Sequence, residues 1–553
     1  MTAAVAAPGT VVERAGVGPC AAPRAATLLL AGAVATPLVV LALAWTSGQG
    51  EVWQHLADTV LLGLVRNTLV LLAGVGAGTL VVGTGLAWLT VMYDFPGRRL
   101  FAWALVLPLA VPAYVLAFVA IGLLDFAGPV QTFVRGLLGP GGHWFPEVRS
   151  EAGVVAVMVL ALYPYVYLLA RTAFLAQGRS TLEAARTLGL SAPAAFFRVA
   201  LPMARPALAA GTALALMETL ADFGAVAAFN YDTFTTAIYK AWFGLFNLQA
   251  AAQLATLLLL FVALALVAER QSRGRSRYHS TGRRAGESRH RLARGRAWAA
   301  TAACGTVLAL GFAIPVLQLV LWAWGVLDRD LDARYLGLVG HTVTLAAGAA
   351  AVTAAGALLL GYTARHCPSR PVNWAVRAGT LGYALPGSVL AVGVMLSFTW
   401  IDRRVGEALE AWIGMAPSPL LSGGLVGLLL AYLVRFLAVA FGPVDGALEQ
   451  IRPSLRDAAR SLGASPREVL RRVYLPILRP GLLTAVLLVF VEVIKEMPAT
   501  LLLRPFGWDT LAVRVFELTS EGEWQRAALP ALALVLAGLV PVVTLVRRAG
   551  SPS

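Results

Sequence analysis

Glu183-Ala184-Ala185-Arg186-Thr187-Leu188-Gly189 and Asp457-Ala458-Ala459-Arg460-Ser461-Leu462-Gly463 are one heptapeptide written twice, 274 residues apart. The match runs on without a gap: Arg198, Leu201-Pro202 and Pro206 follow the first copy, and Arg472, Leu475-Pro476 and Pro480 follow the second. The same offset pairs Thr68 with Thr342, Pro112 with Pro386, Val115-Leu116-Ala117 with Val389-Leu390-Ala391, and Glu218 with Glu492. A match this long marks two homologous halves.

Both copies lie in apolar chain. Of 553 residues, 58% are hydrophobic and 13% charged, against roughly 45–50% and 25% in soluble domains. A soluble domain is excluded, and so is a disordered chain, which needs low hydrophobicity and high net charge. Ten windows lack Asp, Glu, Lys and Arg: 25–50, 68–93, 100–124, 152–170, 241–268, 297–327, 335–364, 378–401, 411–434 and 527–546. Two more, 206–230 and 480–503, are apolar with charges near their middle. Each is long enough to cross a hydrocarbon layer of about 30 Å as a helix. The fold class is therefore all-α: a polytopic membrane protein with about twelve crossings, six per half. The window at 25–50 follows Arg14 and Arg24 but is too long for a signal peptide, so it reads as a retained helix. Glycines such as Gly74, Gly76, Gly78, Gly83 and Gly85 suit close helix packing in lipid.

Threading the chain through twelve crossings sorts the loops into two sets. One set holds both termini, 94–99, 171–205, 269–296, 365–377 and 435–479. It carries 32 of the 44 Lys and Arg. Basic loops stay in the cytoplasm, so both termini and both heptapeptides are expected there. The net charge of +15 is then topology, with no nucleic-acid partner implied. The expected organisation is a tail at 1–24, a first half at 25–268 with its loop at 180–206, an arginine-rich tether at 269–296, and a second half at 297–548 with its loop at 454–480. The tether reads as a disordered segment near anionic headgroups. Six helices per half make the repeat parallel, with a pathway between the halves.

The repeated loops read as rigid elbows. Ser180 and Ser454 stand three residues before Glu183 and Asp457, the spacing of a capping box. Gly189 and Gly463 sit where a first short helix stops. Ser191 and Ser465 are placed to cap a second, with Pro466 in its first turn. Leu201-Pro202 and Leu475-Pro476 are expected to end it, and Pro206 and Pro480 to open the next crossings.

Glu-Ala-Ala, a glycine four residues beyond the second alanine and a later Leu-Pro resemble the EAA loop of ABC importer permeases. Asp457 departs from the motif glutamate but keeps its charge. The segments 106–118, 217–243 and 495–505 resemble the fused ferric-iron branch of that family. The resemblance covers roughly 25–548 apart from the tether. It implies a type I importer fold in a bacterial inner membrane. It also implies two copies of a cytoplasmic ATPase docked on Glu183, Ala184, Ala185, Gly189, Leu201, Pro202, Asp457, Ala458, Ala459, Gly463, Leu475 and Pro476. An extracytoplasmic ferric-iron-binding protein is the other implied partner, besides the lipid bilayer. Related branches carry thiamine, polyamines, sulfate or aminophosphonates.

The chain has no Gly-Lys-Ser/Thr of an ATP-binding P-loop; its two lysines, Lys240 and Lys495, follow Tyr239 and Ile494. No enzyme activity and no cofactor are expected in this chain, ATP and Mg belonging to the partner ATPase. Leu421-Ser422-Gly423-Gly424 mimics an ATPase signature but opens a crossing on the outer side. The six histidines show no metal-ligand spacing, and no hydrolase arrangement stands out. Cys20, Cys304 and Cys367 are too few and too scattered for a disulfide framework or a zinc site.

Glu218 and Asp222, four residues apart, share one helix face, and Glu492 and Glu496 repeat this with Lys495 beside them. Such charges cost about 2.5–3.5 kcal/mol each in lipid, so they face a cavity or one another. Two readings stand. The acids line the translocation path and meet a hard cation, or they form a structural network in which Lys495 neutralises an acid. Arg504 and Asp509, and Tyr231, Asp232 and Lys240 in the first half, are placed to meet the binding protein. The rival from another class is an ion-coupled secondary transporter, which would also be 6+6 but would not need rigid elbows.

Overall fold

A computed structural model describes residues 20–46, 50–138, 145–273, 290–380, 382, 385–414 and 421–550. The first half consists of α1 (Ala21–Leu43), α2 (Gly50–Leu56), α3 (Leu62–Met92), α4 (Arg98–Ala104), α5 (Ala113–Leu124), α6 (Pro129–Leu138), α7 (Glu151–Thr187), α8 (Ala192–Ala195), α9 (Leu201–Ala221), α10 (Gly224–Ala228), α11 (Phe234–Tyr239) and α12 (Leu248–Arg273). The second has α13 (Arg294–Leu308), α14 (Ile314–Asp330), α15 (Ala333–His366), α16 (Arg370–Gly379), α17 (Gly387–Ile413), α18 (Leu425–Glu449), α19 (Pro453–Ser461), α20 (Pro466–Val469), α21 (Leu475–Lys495), α22 (Pro498–Leu503), α23 (Leu511–Ser520) and α24 (Trp524–Gly550). Among the described residues, eleven helical stretches are long and apolar enough to cross a membrane. The twelfth expected crossing is α17. Its second half carries Asp402, Arg403, Arg404, Glu407 and Glu410, and it is not among the eleven.

The window at 100–124 is not one helix. Pro108 and Pro112 divide it into α4, a 3₁₀ turn at Leu107–Ala110 and α5. Proline removes a backbone donor and disfavours helix at the residue before it.

The helices pack through small residues. A Cβ on Gly83 would lie 2.9 Å from Tyr163 O and Tyr167 N, so α3 and α7 touch backbone to backbone there. Gly74 and Gly78 likewise receive Val155 and Val159 of α7. Gly85 differs: a Cβ there would meet nothing within 4 Å.

The first helix of each half reaches across to the other. α1 packs on α15, α16 and α17. α13 and α14 pack on α4 and α5, and α14 also on α24 of its own half. Cys20, at the start of α1, is disulfide-bonded to Cys367 at the end of α15, and Arg24 Nε donates to Cys367 O at 3.2 Å. The cysteines still form no framework, but the fold joins two that are 347 residues apart. The arginine-rich segment is anchored at both ends. α12 continues to Arg273, and β2 (His290–Arg291) pairs in parallel with β1 (Tyr93–Asp94). Residues 274–289, where the tether was expected to be disordered, lie outside the described residues.

Candidate functional site

Both elbows lie at one end of the molecule. Gly189 and Gly463 take φ of +91° and +85°, a left-handed backbone that glycine adopts without steric cost. Each turn is closed from behind. Leu190 N donates to Ala185 O at 3.2 Å, and Ala464 N to Ala459 O at 3.1 Å. The serines then cap. Ser191 Oγ accepts from Ala194 N at 3.4 Å. Ser465 Oγ accepts from Glu468 N at 3.3 Å, while Glu468 Oε2 accepts from Ser465 N at 2.9 Å, a reciprocal box. The Glu468 carboxyl is held below its ordinary value by that backbone N–H, by the Ser465 hydroxyl and by Arg472.

Two expectations for the elbows fail. In the first half no helix starts at Ser180, because α7 runs unbroken from Glu151 to Thr187. In the second half α18 stops at Glu449 and a separate α19 starts at Pro453, so Ser454 lies inside its first turn and does not cap it. The position equivalent to Pro453 is Arg179, and proline favours the first turn of a new helix. Leu201-Pro202 and Leu475-Pro476 do not end a helix either. Wide π turns at Phe196–Ala200 and Leu470–Tyr474 run straight into α9 and α21, each of which has its Leu-Pro as its first two residues. Pro206 and Pro480 fall inside those helices. Helix and elbow are therefore one body. Ala185 is buried, Ala459 half-buried and Ala458 exposed. The side chains of Glu183, Ala184 and Asp457 lie outside the described residues.

The intramembrane charges come together. Glu218, Asp222, Glu492, Lys495 and Glu496 all line one cavity of about 380 Å³ between the halves, with Tyr114 and Tyr165. Asp222 and Glu496 stand where α9 and α21 stop; both have extended ψ, 131° and 116°. Each carboxylate caps the next short helix. Asp222 Oδ1 accepts from Ala225 N and Val226 N at 2.9 and 3.2 Å, and Glu496 Oε1 from Ala499 N at 2.9 Å. These acids hold a helix break inside the protein, where broken backbone needs internal partners.

A sixth charge was missed. Arg435 was expected in a loop beyond the window at 411–434, but it sits within α18 and lines the cavity. Its Nη2 lies 3.3 Å from Glu496 Oε2. Its signal was available: apolar sequence continues on both sides of it. Lys495 instead donates to Leu109 O of the first half at 3.3 Å. The wall thus carries four carboxylates and two cations. Among the described residues no three of His, Cys, Asp and Glu form a group able to hold a metal.

Towards the end away from the elbows lies a second cavity, of about 620 Å³, with Arg149, Asn230, Ser520 and Glu521 on its wall. Tyr114 and Gly224 line both cavities. A Cβ on Gly224 would lie 2.6 Å from Met497 Cε and 2.6 Å from Tyr114 Cβ. Tyr114, Gly224 and Met497 therefore form a tight septum contributed by both halves. Phe223 beside it packs on Phe516 across the interface, ring centroids 5.3 Å apart.

Of the outer residues, Arg504 pairs with Asp509 and with Glu517 at 2.7 Å. Lys240 pairs with Asp232 at 2.6 Å, and Tyr231 OH donates to Asn67 O at 3.1 Å. These groups tie each loop to itself and to a neighbouring helix, α3 in the first half and α23 in the second.

The chain resembles known transport proteins over nearly its whole length. It is 28% identical to the Fe(3+)-transport system permease protein FbpB 2 of Haemophilus influenzae over 495 residues, 88% of this chain and 90% of that one. It is 33% identical to the sulfate transport system permease protein CysW of Escherichia coli K12 over 194 residues, 34% of this chain and 63% of that one. A putative 2-aminoethylphosphonate transport system permease protein, PhnV of Salmonella typhimurium, is 30% identical over 197 residues, 35% of this chain and 68% of that one. One family model, that of binding-protein-dependent transport system inner membrane components, matches twice, at residues 79–271 and 357–547. With one match in each half, the chain belongs to that family, as a fused two-half ABC importer permease.

Proposed function

We propose that this chain is the membrane path of an ATP-driven ferric-iron importer. The elbows face the cytoplasm and each receives one of two ATPase subunits; a binding protein delivers substrate at the opposite end. The observation that carries the substrate is the cavity wall. Four carboxylates against two cations favour a cation over an oxyanion, and carboxylate oxygen suits a hard ion. The relative that covers most of the chain is named for Fe(3+), whereas the sulfate and aminophosphonate relatives match about a third of it. Among the described residues no three of the acids form a metal-holding group, which suits brief contact in transit.

The mechanism is alternating access. ATP brings the ATPase subunits together and the elbows approach. Each elbow is continuous with α9 or α21 through a π turn, so its displacement reaches the helix breaks at Asp222 and Glu496. The septum of Tyr114, Gly224 and Met497 parts or closes as the halves rock.

The test is uptake of radioactive ferric iron in a deletion strain, complemented with wild type or with Gly189→Pro plus Gly463→Pro. Proline cannot take φ near +90°. The double variant should still insert, lose the co-purifying ATPase and restore less than about a tenth of uptake. Iron uptake unchanged by deletion would remove iron and leave the oxyanions, thiamine and polyamines to be tried. Full uptake without any ATPase would favour an ion-coupled transporter.

A further inference from the structure

The first helix of each half is tied to the other half near the elbows, and the two ties are made differently. On the approach to α13, His290 and Arg291 pair with Tyr93 and Asp94 beyond α3, and Thr301 Oγ1 donates to Pro96 O at 2.8 Å. At the start of α1, Cys20 is disulfide-bonded to Cys367 at the end of α15. Tyr93 and Cys367 are equivalent positions of the repeat. One junction is closed by hydrogen bonds, which are indifferent to redox conditions. Its equivalent is closed by a bond that thiols can open.

Three observations bear on what that bond does. First, Cys20 is half-buried whereas Cys367 is 4% exposed, so an incoming thiol or disulfide meets Cys20. Second, Arg24 Nε donates to Cys367 O at 3.2 Å and its Nη2 to Pro368 O at 3.4 Å. These contacts need no sulfur, so they keep the two chains aligned when the bond is open. Third, the bond leads to the second elbow. His366, next to Cys367, has its Nε2 2.6 Å from Tyr474 OH, and Tyr362 stacks on its ring with centroids 4.2 Å apart. Tyr474 is buried and closes the π turn that feeds α21. The first half has Met92 and Ala200 in place of His366 and Tyr474, which cannot make such a contact.

We infer that Cys20 and Cys367 are a reversible thiol–disulfide site on the cytoplasmic face, and that closing it seats the second elbow through His366 and Tyr474. This rests on the reading that the elbows face the cytoplasm. Thiols there are kept reduced, and a disulfide is transient and redox-sensing. The oxidant is a small disulfide of the glutathione class. The Cys20 thiolate attacks one of its sulfurs and a glutathione thiolate leaves. The Cys367 thiolate then attacks Cys20 Sγ and releases the second. Two cysteine thiols lose two electrons and two protons, and one glutathione disulfide becomes two glutathiones.

Acid-quenched cells, denatured and alkylated with a heavy maleimide, report free thiols by gel shift. Growing cells should show three, Cys304 included, and cells briefly exposed to diamide only one. The purified full-length chain is then compared in reduced and oxidised glutathione by hydrogen–deuterium exchange. Reduction should quicken exchange across 470–476 roughly fivefold, the net worth of one hydrogen bond, and leave 196–202 unchanged. Cys20→Ser should match reduced wild type in both buffers. Tyr474→Phe should keep the gel shift but lose the redox response across 470–476. A bond already closed in growing cells, or exchange across 470–476 that ignores the buffer, overturns the inference. An impermeant maleimide should label Cys20 in inside-out vesicles only; labelling in intact spheroplasts would overturn the orientation on which the inference rests.

Discussion

The two halves share a pattern and differ in how each joins its elbow to the membrane. In the first, α7 carries the chain from Glu151 to Thr187 without a break, and the elbow's leading helix is the end of a 37-residue rod. In the second, α18 and α19 are separate, divided before Pro453. The charge at the cavity differs in the same direction. The first half offers Glu218 and Asp222; the second offers Glu492 and Glu496 together with Arg435 and Lys495, whose counterparts in the first half are Ala161 and Ala221. Duplication kept what both elbows need and let the rest diverge. The first half has the unbroken helix into its elbow, and the second half has the compensated charge.

The sharpest way to break this comparison is to remove the cation. Arg435→Met leaves the Glu496 carboxylate buried without its ion partner, so a loss of about 3–5 kcal/mol is expected, read as a fall in the thermal transition. Glu496→Gln in the same chain should restore much of it. An additive double variant would mean the pair is not coupled.

The Cys20–Cys367 bond ties the first half's leading helix to the second half, and β1–β2 pairing holds the approach to α13. Cys20→Ser should cost about 2–4 kcal/mol, and dithiothreitol should lower the wild-type transition while leaving the variant unmoved.

Exchanging the hinge residues should exchange the elbows' stiffness. Arg179→Pro places proline inside α7, where an interior proline costs about 3 kcal/mol, locally relieved by fraying near the helix end. Amide exchange across 175–187 should quicken. Pro453→Arg should slow exchange across 450–454. Unchanged exchange in both variants would show that packing, not proline, sets the break.

The smallest effect belongs to Glu468. Its carboxyl is depressed below the ordinary value, so its cap contributes above the unfolded-state value and is lost as pH falls through the folded one. The protection of the Ser465 amide, its exchange corrected for the intrinsic pH dependence, should fall towards pH 3 in wild type and stay flat in Glu468→Gln.

Much of the elbow was legible because its signals are local. Glycine with room for positive φ, a serine placed to cap and a proline in a first turn act within one or two turns of helix, and the structure shows Gly189, Gly463, Ser465 and Pro466 in those roles; the acid Glu468 that completes the Ser465 box was not read from the sequence. The Leu-Pro pairs misled because the same proline that ends one helix can start another. Ser180 misled because nothing breaks α7 there, and Ser454 because the helix that does start nearby begins one residue earlier, at Pro453. Arg435 was hidden by counting a charge as the edge of a membrane window.

The sequence by itself determined the twofold repeat, the membrane class and the glycine turns, since offset, hydropathy and backbone preference are properties of residues in order. Only the tertiary structure decided that Arg435 neutralises Glu496, that Cys20 reaches Cys367, that each first helix crosses to the other half, and that Gly85 faces open space while Gly83 meets backbone. Each of these is a choice of neighbour across tens or hundreds of residues, fixed by the packing of whole helices.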